Sequence, residues 1–227
     1  MFEYPKIETL YDRGPDFKVV PVRFRWPEFG AIKLWSITEK IDGMNVRVKL
    51  TTDRVWYGGR TDAAQLPTGL VDWLRRNMDH DRVAAAFEPV SNHLIGETIA
   101  YLFLEAYGPK IQAGHKYRDS IACRLFDVCV FNPTDTEERH PLWLTDATMR
   151  DIAAKIGIAP VPCLNAFATI DEAIAYVRQS STVAHIEKND DSLIHEGIVA
   201  KSNPLLLNRR AERIMWKLKV KDLGSSF

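Results

Sequence analysis

Residues 31–50 read AIKLWSITEKIDGMNVRVKL. Ala31–Ile37 is apolar enough for a strand, and it runs on into Thr38, Glu39 and Lys40. Asn45–Leu50 alternates apolar and polar side chains, the period of a half-buried strand. Arg54–Tyr57 follows after a short turn, which predicts a hairpin, and Gly58-Gly59 breaks the pattern just before Arg60. Between the first two strands lies Lys40-Ile41-Asp42-Gly43. An amine attacks only when neutral, and a free lysine is protonated at neutral pH. Neighbouring cations or desolvation lower its pKa and make it a nucleophile. Gly43 allows a tight turn beside a ligand. The tetrapeptide pattern alone is weak, arising by chance in about one chain in twenty of this length. It fits a surface turn capped by Asp42 equally well.

Outward from this stretch, Leu70–Met78 and Arg82–Val90 read as helices. Ile99–Tyr107 and Ile121–Phe131 are rich in β-branched and aromatic residues and read as strands. Thr145–Ile156 is a helix with Thr145 as N-cap and Gly157 as its stop. Thr169-Ile-Asp-Glu172 is a capping box opening a helix to about Arg178, after a linker that holds Pro160 and Pro162. Ser180–Ser192 is polar and reads as an exposed loop, and Ile194–Lys201 and Arg213–Val220 read as the last strands. Strands and helices cluster rather than alternate. That favours an α+β fold of mainly antiparallel sheet over a doubly wound parallel one.

With 227 residues the chain is long enough for one sizeable core and short for two generous ones. It is 46% hydrophobic and 26% charged, has no internal repeat, and has no apolar run long enough for a membrane span. The N-terminus lacks the basic region and apolar run of a secretion signal. Cys123, Cys129 and Cys163 have no metal-like spacing and read as reduced core residues of a cytoplasmic protein. The six histidines show no metal-ligand spacing either, and His195 reads as structural. A net charge of zero argues against coating nucleic acid by charge alone. Between Lys201 and Lys221, however, seven basic residues face a single acid, Glu212.

Four further features suit chemistry. Alternation in Trp216-Lys217-Leu218-Lys219 puts both lysines on one strand face. Two adjacent ammonium groups repel, so the pair suits an anion such as a phosphate chain and would depress the pKa of a nearby lysine. The pair also fits an edge strand with outward lysines. Glu196, opening the apolar strand Gly197-Ile-Val199, suits Mg²⁺ through oxygen. Glu105, within Tyr101-Leu-Phe-Leu-Glu-Ala-Tyr-Gly108, is costly to bury alone and calls for a polar ligand or a basic group such as Arg60. Phe126 in Arg124-Leu-Phe-Asp-Val128 suits stacking on a purine, or plain core.

In order, these elements resemble the covalent nucleotidyltransferase superfamily of ligases and capping enzymes. Lys40–Gly43 resembles motif I, Gly59-Arg60-Thr61 the arginine motif after it, and Phe103-Leu104-Glu105 motif III, where Leu104 replaces the usual glycine. Leu125-Phe126-Asp127 resembles motif IIIa, Glu196–Val199 motif IV, and Lys217-Leu218-Lys219 motif V. Six ordered motifs over residues 40–219 are far more specific than any one. Asn45, together with the opening Tyr4-Pro-Lys-Ile-Glu-Thr-Leu10, is similar to RNA ligases of the RNA ligase 2 type.

The resemblance implies a single ATP-grasp-like nucleotidyltransferase domain over residues 1–227, of mainly antiparallel sheets flanked by helices, with no OB-fold or other C-terminal domain. It implies an ATP-dependent RNA ligase of RNA repair. Lys40 takes AMP from ATP, Lys217 and Lys219 hold the α-phosphate, and Asp42 and Glu196 orient Mg²⁺ or Mn²⁺. Glu105 binds a ribose hydroxyl and Phe126 stacks on adenine. Glu39, Asn45 and Arg60 contact the nucleotide or strand end. AMP then passes to a 5′-phosphate RNA end, which is sealed to a 3′-OH by this domain alone or with a partner chain. The alternatives are a minimal DNA ligase, a guanylyltransferase, or a non-catalytic end-binding protein of the same fold.

Overall fold

In the first of two compact units, Met1–Tyr4 with Gly43–Val161, five antiparallel strands form one sheet. The structure, a computed structural model, describes residues 1–87, 99–132, 134, 135 and 137–223. The strands are β5 (Met44–Leu50), β6 (Val55–Gly58), β7 (Ile99–Tyr107), β8 (Ala122–Phe131) and β9 (Leu142–Trp143), in spatial order β6-β5-β7-β8-β9. Period-two alternation sorts their side chains. Val46, Val48 and Leu50 of β5, with Ala100, Leu102, Leu104 and Ala106 of β7, enter one core with helices α2 (Thr68–Asn77), α3 (His80–Ala85) and α4 (Asp146–Ile156). The opposite face holds an aromatic cluster of Tyr101, Phe103 and Phe131, against which Phe2, Tyr4, Phe126 and Trp143 pack. Each large apolar side chain buried this way contributes about 1.5–3 kcal/mol.

The second unit, Pro5–Asp42 with Pro162–Phe227, has its own sheet and core. Its strands are β1 (Glu8–Thr9), β4 (Trp35–Lys40), β10 (Cys163–Ala168), β11 (Gly197–Ser202) and β12 (Met215–Lys219), in order β1-β12-β11-β4-β10. Only the β1–β12 pair is parallel. A separate hairpin joins β2 (Tyr11–Arg13) and β3 (Val19–Phe24). Helices α1 (Pro27–Ala31), α5 (Ile170–Tyr176) and α6 (Thr182–Lys188) complete the unit. Trp35 and Ile37 of β4, Ile198 and Ala200 of β11, and Trp216 and Leu218 of β12 fill the core. The alternation read at Trp216–Lys219 therefore holds, with Trp216 and Leu218 fully buried and both lysines on the other face.

The mixed, antiparallel-rich architecture is the α+β fold expected from the sequence. Thr145 caps α4 through Thr148 N, Gly157 ends it with φ 82°, and the Thr169–Glu172 capping box opens α5. Several local readings differ. Pro27 at the first helical turn makes 27–31 a short helix, so the strand read at Ala31–Ile37 begins at Trp35 and carries Lys40 as its last residue. Ser180–Ser192 contains α6, because the Ser181 side chain caps Ala184 N and Val183 and Ala184 are buried. The chain past Pro162 is the edge strand β10, and Cys163 on it is exposed rather than in the core. Cys123 and Cys129 are buried, and burial, aided by the charge of Glu105, pushes the Cys123 thiol up. The helix read at Arg82–Val90 is α3, ending at Ala85, and residues 88–90 lie outside the described residues. No helix among the described residues is long and apolar enough to cross a membrane.

Candidate active site

Three strands of the second unit assemble a row of charge. In the sheet register Lys40 lies opposite Gly197, and Gly197 opposite Lys219. The next row on the same face, two residues along, is Thr38, Val199 and Lys217. Glu196 precedes Gly197 and reaches both flanking lysines. Its Oε2 accepts from Lys40 Nζ at 2.6 Å, and its Oε1 pairs with Lys219 Nζ at 2.5 Å. All three side chains are mostly buried, with exposures of 21%, 20% and 13% for Lys40, Lys219 and Glu196. Burial pushes the Glu196 carboxyl up, but Lys40 and Lys219 outweigh it and hold the group below the usual carboxylate range. Gly197 makes this spacing available, since a Cβ there would meet Leu218 O at 2.2 Å and Lys219 Cα at 2.7 Å. The neighbouring Asp42 is half-buried.

Glu39 points the other way from Lys40, as alternation along β4 demands. Its carboxylate is 2% exposed and accepts from Ser181 Oγ at 2.5 Å and Val183 N at 3.1 Å. It ties the strand that carries Lys40 to the first turn of α6, so its side chain is turned away from Lys40 and engaged with the protein. His195, beside Glu196, is buried with Nε2 2.7 Å from Tyr176 O, which fits the structural role expected of it.

In the first unit the candidate residues lie on the aromatic-cluster face of the sheet. Asn45, Glu105 and Arg124 are register partners across β5, β7 and β8. A register shift lets Phe126 stand as the extra residue between Leu125, opposite Leu104, and Asp127, opposite Phe103. The bulge aims its ring at Tyr4 and Phe103, at 5.0 and 6.3 Å between centroids. The Asn45 Oδ1 is buried and has no hydrogen-bond partner among the described residues, an orphaned acceptor suited to a ligand donor. A Cβ on Gly43 would meet Ala106 O at 2.2 Å and Glu105 Cγ at 3.0 Å, so glycine is required where the chain passes Glu105. Arg60 is exposed.

Arg124 and Arg47 went unread in the sequence. Arg124 is the ladder neighbour of Glu105 and is itself fixed by Tyr107 Oη at 3.0 Å and Pro160 O at 3.1 Å. Arg47 is fully buried and donates to Gly59 O, Met1 O and Asp62, bracing the turn that carries Arg60. A buried arginine on a strand gives no periodic signal beyond its polarity. The charge of Glu105 was the available hint that a basic partner stood opposite.

The chemistry of these donors suits a nucleotide and a hard cation. The lysine row suits phosphate oxygens. The Glu196 and Asp42 carboxylates are oxygen donors suited to Mg²⁺ or Mn²⁺ that keeps much of its water. Among the described residues no three His, Cys, Asp or Glu side chains form a closed metal cage.

Comparison with known proteins bears on the fold and the family. No curated protein matches the chain by sequence. Among solved structures, a variant of Naegleria gruberi RNA ligase with ATP and Mn superposes with a TM-score of 0.60 at 16% identity, covering 96% of this chain and 61% of that one. A second variant of the same ligase, with AMP and Mn, gives a TM-score of 0.59 at 16% identity, covering 96% and 62%. These likenesses show the fold, and the chain spans about three-fifths of the length of those proteins. The sequence pattern of the RNA ligase family matches residues 33–219, most of the chain, and the protein belongs to the RNA ligase family.

Proposed function

We propose that the chain works as one nucleotidyltransferase domain that takes AMP from ATP onto Lys40 and delivers it to an RNA end for sealing. The observation that carries this reading is the row Lys40–Gly197–Lys219 with Glu196 gripping both ammonium groups. The solved relatives were captured with ATP or AMP and Mn, which supports ATP as the AMP donor here.

In the first step Lys40 Nζ, having released a proton to water, attacks the α-phosphorus. A P–N bond forms, the α–β P–O bond breaks, and its electron pair leaves on pyrophosphate. Lys217 and Lys219 face the α-phosphate and offset the charge that develops on its oxygens. Glu196 fixes Lys40 and Lys219 relative to each other, so little reorganisation precedes attack. Glu196 and Asp42 would hold a divalent cation, which supplies charge neutralisation when bound. On the sheet of the first unit, Glu105 accepts from a ribose hydroxyl, Asn45 takes a donor of the nucleoside, and Phe126 offers a ring to adenine. Glu39 acts through the fold. In the second step a 5′-phosphate oxygen displaces Lys40 from phosphorus, and the lysine recovers its proton. In the third, a 3′-hydroxyl loses its proton to water, attacks the 5′-phosphorus and expels AMP. We assign the work to RNA ends, in the context of RNA repair, on the family likeness.

The experiment is a ligation assay with ATP, Mg²⁺ and an RNA bearing a 5′-phosphate and a 3′-hydroxyl, with and without Lys219→Ala. Sealed RNA or AMP-capped RNA from the wild type, reduced at least about 100-fold in the variant, is the expected result. Equal activity in both would remove Lys219 from the mechanism. Activity with a DNA end alone would replace RNA as the substrate.

A further inference from the structure

Beside the Lys217–Lys219 face, wholly within the second unit, lies a recess of about 420 Å³. Five cations line it, Arg13, Lys18, Lys217, Lys219 and Lys221, against the carboxylates of Asp16 and Asp222. Three of these cations, Arg13, Lys18 and Lys221, belong to none of the motifs that identify the family. Their placement is built into the fold. Strand β1 pairs with β12 so that Thr9 stands opposite Lys217, and Leu10 N donates to Lys217 O at 3.1 Å, which brings the β2–β3 hairpin alongside β12.

The hairpin turn is held closed from within. Gly14 N donates to Lys18 O at 2.8 Å, the Asp16 carboxylate accepts from Lys18 N at 3.1 Å, and Phe17 takes a φ of 62°. Arg13 donates to Phe17 O at 2.5 Å and forks onto both oxygens of Asp222, at 3.1 and 2.9 Å. Asp222 is only 5% exposed on its side chain, so it serves as the fixed base that orients the guanidinium. Lys18 Nζ reaches across to Lys221 O at 2.6 Å. One of the two carboxylates is thus neutralised by Arg13, and the recess keeps an excess of positive charge. Its volume falls in the range of ligand pockets, about 300–1,000 Å³, but its lining is charged where those pockets are mostly apolar. A multiply charged anion is the ligand that such a lining selects.

We propose that Arg13, Lys18 and Lys221 form a subsite for a diphosphate, holding the β- and γ-phosphates of the incoming nucleotide and then the departing pyrophosphate. The subsite rests on the reading of Lys217 and Lys219 as the α-phosphate contacts, since those two lysines line the same recess. In the adenylylation step the electron pair of the broken α–β P–O bond arrives on an oxygen beside these cations. They stabilise the leaving group as its charge grows.

The test uses Lys18→Met, Lys221→Met and the double variant, with thermal melting as the check on folding. Titration calorimetry with inorganic pyrophosphate alone reads the subsite without any chemistry. The double variant should bind pyrophosphate at least about ten-fold more weakly than wild type, the loss expected for charge-assisted contacts. Its KM for ATP in AMP-adduct formation should rise by a similar factor. If the double variant does not fold, Lys221→Met, which alters an exposed side chain, carries the test alone. Unchanged pyrophosphate affinity in the folded variants would overturn the proposal, as would no pyrophosphate binding by the wild type. Weaker binding of a short 5′-phosphorylated RNA with pyrophosphate affinity intact would assign the recess to the polynucleotide instead. A wild type that binds pyrophosphate through these lysines but never acquires AMP would sink the ligase chemistry and leave the subsite standing.

Discussion

Glu196 is the side chain on which the charged row depends. It lies between two ammonium groups, and its carboxyl titrates below the ordinary value of 4.5. A group whose folded pKa is depressed adds stability that is fully present above its unfolded value and is lost as pH falls through the folded one. Glu196→Gln should therefore flatten the loss of stability as the pH falls below about 4.5. Thermal midpoints of wild type and variant across that fall check this, and parallel curves would refute it. The resemblance implies that Glu39 contacts the nucleotide or strand end, but strand alternation turns its side chain to the face opposite Lys40. The residue that receives it, Ser181, is 142 positions away, and no single-sequence signal links the two. Ser181→Ala should cost about 1.5–3 kcal/mol in urea unfolding, the range for a hydrogen bond to a charged group. A loss below about 0.5 kcal/mol would mean that the carboxylate has another donor in reserve.

Elements with strong local signals were legible in the sequence, and those defined by distant pairing were not. The caps at Thr145 and Thr169 and the long apolar strands β7 and β8 rest on nearest-neighbour chemistry, and they appear where it puts them. Strands β1 and β2 are two and three residues long and exist because β12 and β3 lie beside them. The bulge at Phe126 has the same origin, since an extra residue is visible only against its partner strand. Strand β11 must press closely on β12 for Glu196 to reach Lys219, so Gly197→Ala should be among the most damaging small substitutions. A backbone oxygen 2.2 Å from the added Cβ cannot yield as a flexible side chain does. A loss of about 3 kcal/mol or more is expected, with AMP-adduct formation falling as well. A variant of wild-type stability and activity would show that the two strands can part without consequence.

Over the whole chain, positive and negative charge balance at 30 residues each, and the cations that matter are gathered rather than spread. This bears on how the protein meets RNA. With five basic side chains of the second unit lining one recess, a strand end bound there should touch only a few of them at once. RNA affinity should then fall with salt along a shallow log–log slope of about −2 to −3, as about three or four single-strand phosphate contacts give. Fluorescence anisotropy of a labelled 5′-phosphorylated RNA over a range of salt measures this. A slope steeper than about −6 would mean a long basic track across the surface. The family was legible because its chemistry is written in short ordered motifs. The division into two units, each with its own core, was not. Both units are discontinuous in sequence, with Lys40 and Gly43 three residues apart on different units.

The proposed chemistry turns on Lys40 carrying AMP. Intact mass spectrometry of the purified protein after incubation with ATP and Mg²⁺, beside Lys40→Ala, tests it most directly. The expected result is a gain of one AMP in the wild type, reversed by pyrophosphate and absent from the variant. A wild type that gains no AMP from ATP with Mg²⁺ or Mn²⁺, having carried none when purified, would contradict it, as would an adduct that survives loss of Lys40.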